Sequence, residues 1–379
     1  MHHNKLFAVE SSYQDRKRLV IIPFMTERTY ISKTPELIGE TILLQGWVDS
    51  KRDHGKVTFI DLRDKSGLIQ CVGVQMMGEL TTESVISITG LVKQRPEKLI
   101  NKNIKTGGVE IEVKEYEVLN KSVELPISVD TDGKEISEEP RLKFRYLDLR
   151  RARMQKIMRM RSEFIRAIRD GLYEDDFVEI ETPMLTKSTK EGARDFLVPS
   201  RFNPGKFYAL PQSPQQYKQL LMTSGFERYF QVARCIRDED LRADRGFEFT
   251  QLDLEMSFVN QQQVMDLVEK TVKQAVKKVG GKLKSEEFPV VTYQDAMSKY
   301  GEDRFDLRTE EEKEQGILAV AWVVSFPFFK KVDKGDAAEV RDGKSGWTFT
   351  HNPFSAPLPE HESDHLAKKN IGDIVTAQY

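Results

Sequence analysis

Cysteine is almost missing from this chain. Cys71 and Cys235 stand far apart among 379 residues, which leaves no disulfide framework and suits a reducing compartment. Long apolar runs are missing too, and none reaches the length needed to span a bilayer. Net charge is nearly cancelled: 58 Lys and Arg stand against 60 Asp and Glu, giving −2. No global basic field advertises nucleic-acid binding, so such a function has to rest on local patches. A secretory leader is not legible either. The short LVIIPF comes after a charged cluster, is too brief for a signal core, and precedes no small-residue cleavage site. Residues 1–24 fit poorly with the remainder of the chain and are read as an extension, non-native or disordered, with the folded chain expected from Met25. What is present is the balance of a water-soluble globular chain, 39% hydrophobic and 31% charged, long enough for two or more domains.

Residues 40–120 read as consecutive strands. In ETILLQGWVDS, Ile42, Leu44 and Val48 share one side while Leu43 and Trp47 share the other. KVTFIDLRD repeats the alternation, and GLIQCVGV, SVISITGLV and GVEIEVKEYEVL come after it at short intervals. Five such strands fit a small closed barrel of the oligonucleotide-binding kind, or an immunoglobulin-like sandwich; strand count alone does not separate them. The polar stretch 121–145, with Pro126, Gly133 and EISEEP, reads as a hinge.

Beyond it, RLKFRYLDLRRARMQKIMRMRSEFIRAIRDGLYEDDF reads as helical, with Ile157, Phe164, Ile168 and Leu172 at helical spacing. Arg and Lys fill its other faces, either as a solvated surface or as one that meets RNA. FVEIETPML reads as an extended strand that runs into Pro183, which favours an edge or an interface. QQQVMDLVEKTVKQAVKKVGG reads as a helix stopped by its glycine pair. ILAVAWVV reads as a buried strand. Helices and strands interleave without a βαβ rhythm, which argues for an α+β domain.

The densest chemistry lies at RCIRDEDLRADRGFEFTQLDLEMSF. Alternation puts Tyr229, Gln231, Ala233, Cys235, Arg237 and Glu239 on one face, with Phe249, Gln251, Asp253 and Glu255 on one face of the next strand. Two such strands make an antiparallel hairpin. A sheet does not bury so many unpaired charges, so this face is expected to open on water or on a ligand. Arg237 offers a planar fork for phosphate or carboxylate, Asp253 can hold an ammonium, and Phe249 offers a ring for a base. A salt-bridged surface hairpin is the plainer reading. Upstream, LPQSPQQYKQLLM crowds Gln212, Ser213, Gln215 and Lys218 around two prolines, and KEGARDFLVPSR carries Glu191 on a segment able to serve as a lid.

Together GWVDSKRDHGKVTFIDLRD, RLKFRYLDLRR, FVEIETPMLTKSTKEGARDFLVPSR, FYALPQSPQQYKQLLM, RCIRDEDLRADRGFEFTQLDLEMSF and THNPFSAP resemble the class II aminoacyl-tRNA synthetases, and among them the bacterial-type aspartyl-tRNA synthetases. The resemblance runs from Thr26 to Tyr379. It implies a five-stranded OB-type barrel over 25–120 and a class II catalytic domain over 146–379, built on an antiparallel sheet flanked by helices. It also implies ATP-dependent ligation of L-aspartate to tRNA-Asp through aspartyl-adenylate, with magnesium accompanying ATP, in a cytoplasmic homodimer that pairs through the edge ending at Pro183.

By motif match, Glu191, Ser213, Gln215, Lys218, Arg237, Asp253 and His351 would bind aspartate. Arg237, Asp238, Glu239 and Phe249 would bind ATP. Arg242 and Arg245 would approach the tRNA acceptor end, and Arg52, Phe59 and Gln70 would contact the anticodon. His54 resembles the variant that also serves tRNA-Asn.

The chain departs from the family in places. Gly246 replaces a usual Gln. An insertion of roughly a hundred residues, a common domain size, is missing between the hairpin and ILAVAWVV. The family's magnesium ligands and third motif would lie beyond Tyr379, so the chain as given is expected not to form adenylate at a useful rate. The alternative is a non-catalytic RNA-binding protein on a synthetase-like scaffold. A remote one is a zinc protease through HESDH, residues 361–365, although the prolines of the preceding PLPE argue against a helical turn there.

Overall fold

The computed structural model describes residues 27–55, 57–74, 77–189, 193–241, 245–332, 346–350, 355–361 and 373–377. Residues 1–26, 56, 75–76, 190–192, 242–244, 333–345, 351–354, 362–372 and 378–379 lie outside that description. The chain divides into two compact units, Met1–Gln155 and Lys156–Tyr379.

In the first unit, β1 (Thr41–Asp53), β2 (Val57–Asp64), β3 (Gly67–Val74), β4 (Val85–Gln94) and β5 (Val109–Asn120) close into a barrel in the order β1-β2-β3-β5-β4. Closure settles the question in favour of a barrel over a sandwich. The alternation is the cause: Ile42, Leu44, Val48, Ile60, Leu62, Ile69, Ile86, Ile88 and Ile111 all turn inward and are buried. Gly46 is needed where β1 crosses β2, because a Cβ there would lie 2.4 Å from the Arg63 carbonyl oxygen.

Residues 121–145, expected as a hinge, share a small core with the helix that follows, Ile127 and Val129 being buried together with Leu147. Two short helices follow, α1 (Glu138–Lys143) and α2 (Arg145–Asp148). Asp148 and Arg151 are both fully buried. Arg141, Arg145 and Arg151 donate to the Asp148 carboxylate at 3.0, 2.7 and 2.8 Å. Arg151 also donates to the Ser128 and Thr131 carbonyls at 2.7 and 3.1 Å. The hydrogen bond from Arg141, with help from the other guanidiniums, holds the Asp148 carboxyl below its usual range despite its burial.

In the second unit a three-stranded sheet has the order β10 (Glu248–Met256), β9 (Arg228–Ile236), β6 (Val178–Glu179). β9 and β10 are antiparallel; β6 is parallel to β9. One sheet face packs Phe230, Leu252 and Leu254 against Ala167, Ile168 and Leu172 of α3 (Ala152–Glu174) and Leu267 and Ala275 of α5 (Gln261–Lys278). The predicted stripe on α3 holds for Phe164, Ile168 and Leu172, but Ile157 is exposed. Ile157 sits one turn or more before the helix reaches its apolar cluster. The FVEIETPML strand is also shorter than expected: only Val178 and Glu179 join the sheet, and the chain has left it before Pro183.

A hairpin pairs β7 (Leu197–Pro199) with β8 (Phe207–Ala209), and α4 (Gln215–Thr223) follows it. α5 starts on a capping box, with Asn260 accepting from Gln263 N–H. After α5, β11 (Lys282–Leu283) and β12 (Val290–Thr292) pair in parallel with β13 (Ile317–Leu318) and β14 (Trp322–Val324), with α6 (Tyr293–Tyr300) and α7 (Glu310–Glu314) between. The ILAVAWVV run is therefore split in two and is not buried. Leu318 is exposed and Trp322–Val324 are half-buried, because each strand has a single partner strand among the described residues. No helix among the described residues is long and apolar enough to cross a membrane.

Candidate active site and nucleic-acid face

The register of the hairpin decides which side chains meet. Asp253 stands opposite Gln231, Gln251 opposite Ala233, Phe249 opposite Cys235 and Glu255 opposite Tyr229. All eight share the face opposite the apolar cluster, as the alternation predicts. That face does not simply open on water, however. Tyr229 and Cys235 are fully buried, and Asp253 is only 5% exposed. α4 is responsible, because it follows the Pro211–Pro214 turn and delivers Lys218 onto the sheet.

Lys218 Nζ lies 3.0 Å from Asp253 Oδ1 and 3.2 Å from Glu255 Oε2. Gln251 Nε2 donates to the same Asp253 oxygen at 3.2 Å. Asp253 Oδ2 is buried and has no hydrogen-bond partner among the described residues. Two carboxylates thus share one ammonium. Burial raises the Asp253 pKa, and Lys218 only partly opposes it. Burial alone would lower the Lys218 pKa, but Asp253 and Glu255 outweigh it and hold it above the usual lysine range. Among the described residues, Lys218 is the one ammonium within ion-pair distance of both carboxylates.

Arg237 follows β9 directly. Its Nε donates to the Gln212 carbonyl at 3.3 Å, and its guanidinium carbon lies 4.9 Å from the centre of the half-buried Phe249 ring. In this arrangement Arg237 covers the ring proposed as a base platform. Asp238 N–H donates to the Arg194 carbonyl at 3.0 Å. Glu239 is ion-paired with Arg245, so these two expected ligands are engaged with each other. Ser213 accepts the backbone N–H of Gln215 at 3.4 Å. Arg237, Asp253 and Lys218 thus come from the end of β9, the middle of β10 and α4, all on one side of one sheet. Glu191, Arg242 and His351 lie outside the described residues.

Three features were not legible as site chemistry: the role of Glu255 as a second acceptor for Lys218, that of Gln251 as a donor to Asp253, and the full burial of Gln212. The first two share Asp253's parity along β10, which was the available signal. Of HESDH, only His361 is described. It ends a 3-10 helix, Pro359–His361, so one proline opens a turn rather than preventing it. Among the described residues no three His, Cys, Asp or Glu side chains gather as a metal site.

On the barrel, Arg52, Phe59, Asp61 and Gln70 stand on the outward face of β1, β2 and β3, through the pairings Arg52–Phe59 and Asp61–Gln70. Arg52 donates to both Asp61 oxygens at 3.2 and 3.1 Å and reaches Gln70 Oε1 at 3.4 Å. Gln70 Nε2 donates to Glu110 at 3.0 Å, which fixes the orientation of its amide. Phe59 is half-buried, with His54 edge-on at 5.6 Å. An aromatic ring beside a line of polar readers suits an unstacked base.

Residues 137–379 match the family model of class II tRNA synthetases (D, K and N), and residues 42–119 match that of the OB-fold nucleic acid binding domain. The class is therefore defined: this chain belongs to the class II tRNA synthetases of the D, K and N group.

Within that group the chain is 50% identical over 283 residues to the aspartate–tRNA(Asp/Asn) ligase of Natranaerobius thermophilus, covering 73% of this chain and 48% of that protein. It is 46% identical over 311 residues to the aspartate–tRNA ligase of Staphylococcus carnosus, covering 80% and 53%. The chain spans about half the length of the curated relatives it matches. Among solved structures, asparaginyl-tRNA synthetase from Pyrococcus horikoshii complexed with asparaginyl-adenylate superposes with a TM-score of 0.67 at 25% identity, over 82% of this chain and 78% of that one.

Proposed function

We propose that this chain carries the amino-acid-activating pocket and the anticodon-reading barrel of an aspartate–tRNA ligase that serves tRNA-Asp and also tRNA-Asn. The observation that supports this most strongly is at Asp253, whose buried Oδ2 has no hydrogen-bond partner among the described residues and which shares the single Lys218 ammonium with Glu255. A buried acceptor without a partner costs about 1–3 kcal/mol, and the α-ammonium of an amino acid removes that cost. Arg237 then pairs with one carboxylate of aspartate, and Lys218, which Asp253 and Glu255 already share, turns its remaining N–H to the side-chain carboxylate.

In the first step an oxygen of the aspartate α-carboxylate attacks the α-phosphorus of ATP. The bond from that phosphorus to the bridging oxygen breaks, and pyrophosphate leaves with the electron pair. In the second step a 3′-terminal hydroxyl of tRNA attacks the aspartyl carbonyl, its proton passes to the departing phosphate, and AMP leaves. No covalent bond to the protein forms, so the protein's work is positioning and charge stabilisation. Arg237 holds the α-phosphate and the carboxylate, Asp238 and Glu239 lie along ATP, and Phe249 stacks on adenine. Ser213, Gln215, Glu191 and His351 complete the aspartate pocket, while Arg242 and Arg245 approach the acceptor end. For this, the Arg245–Glu239 pair and the Arg237–Phe249 stack must rearrange when nucleotide enters. Magnesium enters as part of the ATP substrate.

On the barrel, Phe59, Arg52 and Gln70 read the anticodon, and His54 admits tRNA-Asn as well as tRNA-Asp. Homodimerisation through the Val178–Glu179 edge strand and the segment that follows it to Pro183 fits the exposure of Val178, Met184 and Leu185, and the reaction belongs in the cytoplasm. Calorimetric titration with L-aspartate, L-asparagine and L-lysine tests the pocket. Binding of L-aspartate alone, or at least about tenfold more tightly than the others, is expected. Equal binding of all three, or of none, contradicts the reading.

A further inference from the structure

We propose that Gln212 is a positioning residue of this pocket: its carboxamide fastens Ala193 and Asp195 to the turn beneath Arg237 and thereby sets where that guanidinium sits. The inference rests on the pocket reading above.

The Gln212 side chain is fully buried. Its Oε1 accepts the Ala193 N–H at 3.1 Å, and its Nε2 donates to the Ala193 carbonyl at 2.9 Å and to Asp195 Oδ1 at 2.6 Å. The Thr189 carbonyl lies 3.4 Å from the same nitrogen. Gln212's own backbone carbonyl accepts the Nε–H of Arg237. On either side of this contact, Ile236 N–H donates to the Pro211 carbonyl at 2.9 Å and Asp238 N–H to the Arg194 carbonyl at 3.0 Å. Three described stretches of chain therefore meet at Gln212: 193–195, 211–213 and 236–238.

Two of these stretches have little regular structure, so no strand ladder fixes their spacing. The donor and acceptor of Ala193 are satisfied by the Gln212 side chain instead, and truncating it leaves both orphaned. Arg237 depends on the same tie. With Nε committed to the Gln212 carbonyl and its plane against Phe249, only its two terminal amino groups remain to meet a ligand. Gln212 does not reach the ligand itself; it acts through Arg237.

The test compares Gln212→Ala, Arg237→Lys and the double variant in the full chain, reading L-aspartate affinity by calorimetry, melting temperature, and amide hydrogen exchange at Ala193 and Asp238. Gln212→Ala is expected to weaken aspartate binding by about tenfold or more, and much less than that when Arg237→Lys is already present, since coupled residues are not additive. Exchange at the Ala193 and Asp238 amides should quicken while the β9–β10 ladder stays protected.

Additive losses, or full affinity in Gln212→Ala, overturn the proposal. Should Gln212→Ala not fold, Gln212→Glu and the pair Gln212→Glu with Asp195→Asn replace it. The single change sets a carboxylate against both Asp195 and the Ala193 carbonyl and is expected to lose affinity; the paired change restores the contact to residue 195 alone and is expected to regain part of it. No recovery counts against the proposal. If the unaltered chain binds no aspartate, the functional reading fails. The exchange data then decide the positioning role alone, with unchanged exchange at Ala193 and Asp238 overturning it.

Discussion

Lys218 is the residue on which the pocket's stability turns. It is 12% exposed at the side chain and faces two carboxylates. Replacing it by Met leaves Asp253 buried without its counter-ion, and breaking such a pair costs about 3 kcal/mol or more. Lys218→Met is therefore expected to lower the urea midpoint at neutral pH and to lose aspartate binding, checked by denaturation and calorimetry on one preparation.

Asp253 gives a pH signature of its own. Burial raises its pKa above 3.8, so in the window that opens above 3.8 the native state holds a proton that the unfolded chain has lost. Its contribution to stability is therefore largest below that window and is lost as pH rises through the folded value. Binding runs in the opposite sense, since only the ionised carboxylate holds an ammonium. Aspartate affinity should fall with falling pH sooner than an ordinary carboxylate would dictate, and Asp253→Asn should flatten both trends. Much of this was legible in the sequence, because alternation alone put Asp253, Gln251 and Glu255 on one face. What alternation cannot report is depth. That Asp253 is buried depends on α4 arriving over the sheet from residues some 35 positions earlier, a tertiary event that no local pattern encodes.

Elements were most legible where one face is buried and the other is wet. The barrel strands show this, and so does α5. Its start is fixed by a reciprocal cap: Asn260 and Gln263 exchange side-chain to backbone hydrogen bonds at 3.0 Å in each direction. Asn260→Ala should cost about 1 kcal/mol, measurable as a shift in thermal midpoint without a change in aspartate affinity. Elements failed to be legible where apolar composition lacked a companion. FVEIETPML and ILAVAWVV both look like long strands, yet only two or three residues of each find a partner strand at a time. β-propensity describes a strand that fits a sheet, and it cannot supply the sheet. The hinge reading of 121–145 missed a buried cluster because the polar residues around it, among them the arginines on Asp148, form a network across distant positions.

At the scale of the molecule, the proposed reading assigns one kind of recognition to each of two compact units, so each is tested by its own variant. Phe59→Ala takes away a half-buried ring on the barrel's outer face. Stacking of one base is worth about 1–3 kcal/mol, so binding of an anticodon stem-loop should weaken by about tenfold or more while aspartate titrations are unchanged. A fluorescence-anisotropy titration of the stem-loop checks the first half and calorimetry the second. The measurement closest to the central claim compares L-aspartate with succinate, which keeps both carboxylates and lacks the amino group. If an ammonium at Asp253 is what the pocket recognises, L-aspartate binds and succinate binds at least about a hundredfold more weakly, a difference of roughly 2.7 kcal/mol. In Asp253→Asn most of that gap closes. Succinate binding as tightly as L-aspartate to the unaltered chain would contradict the account.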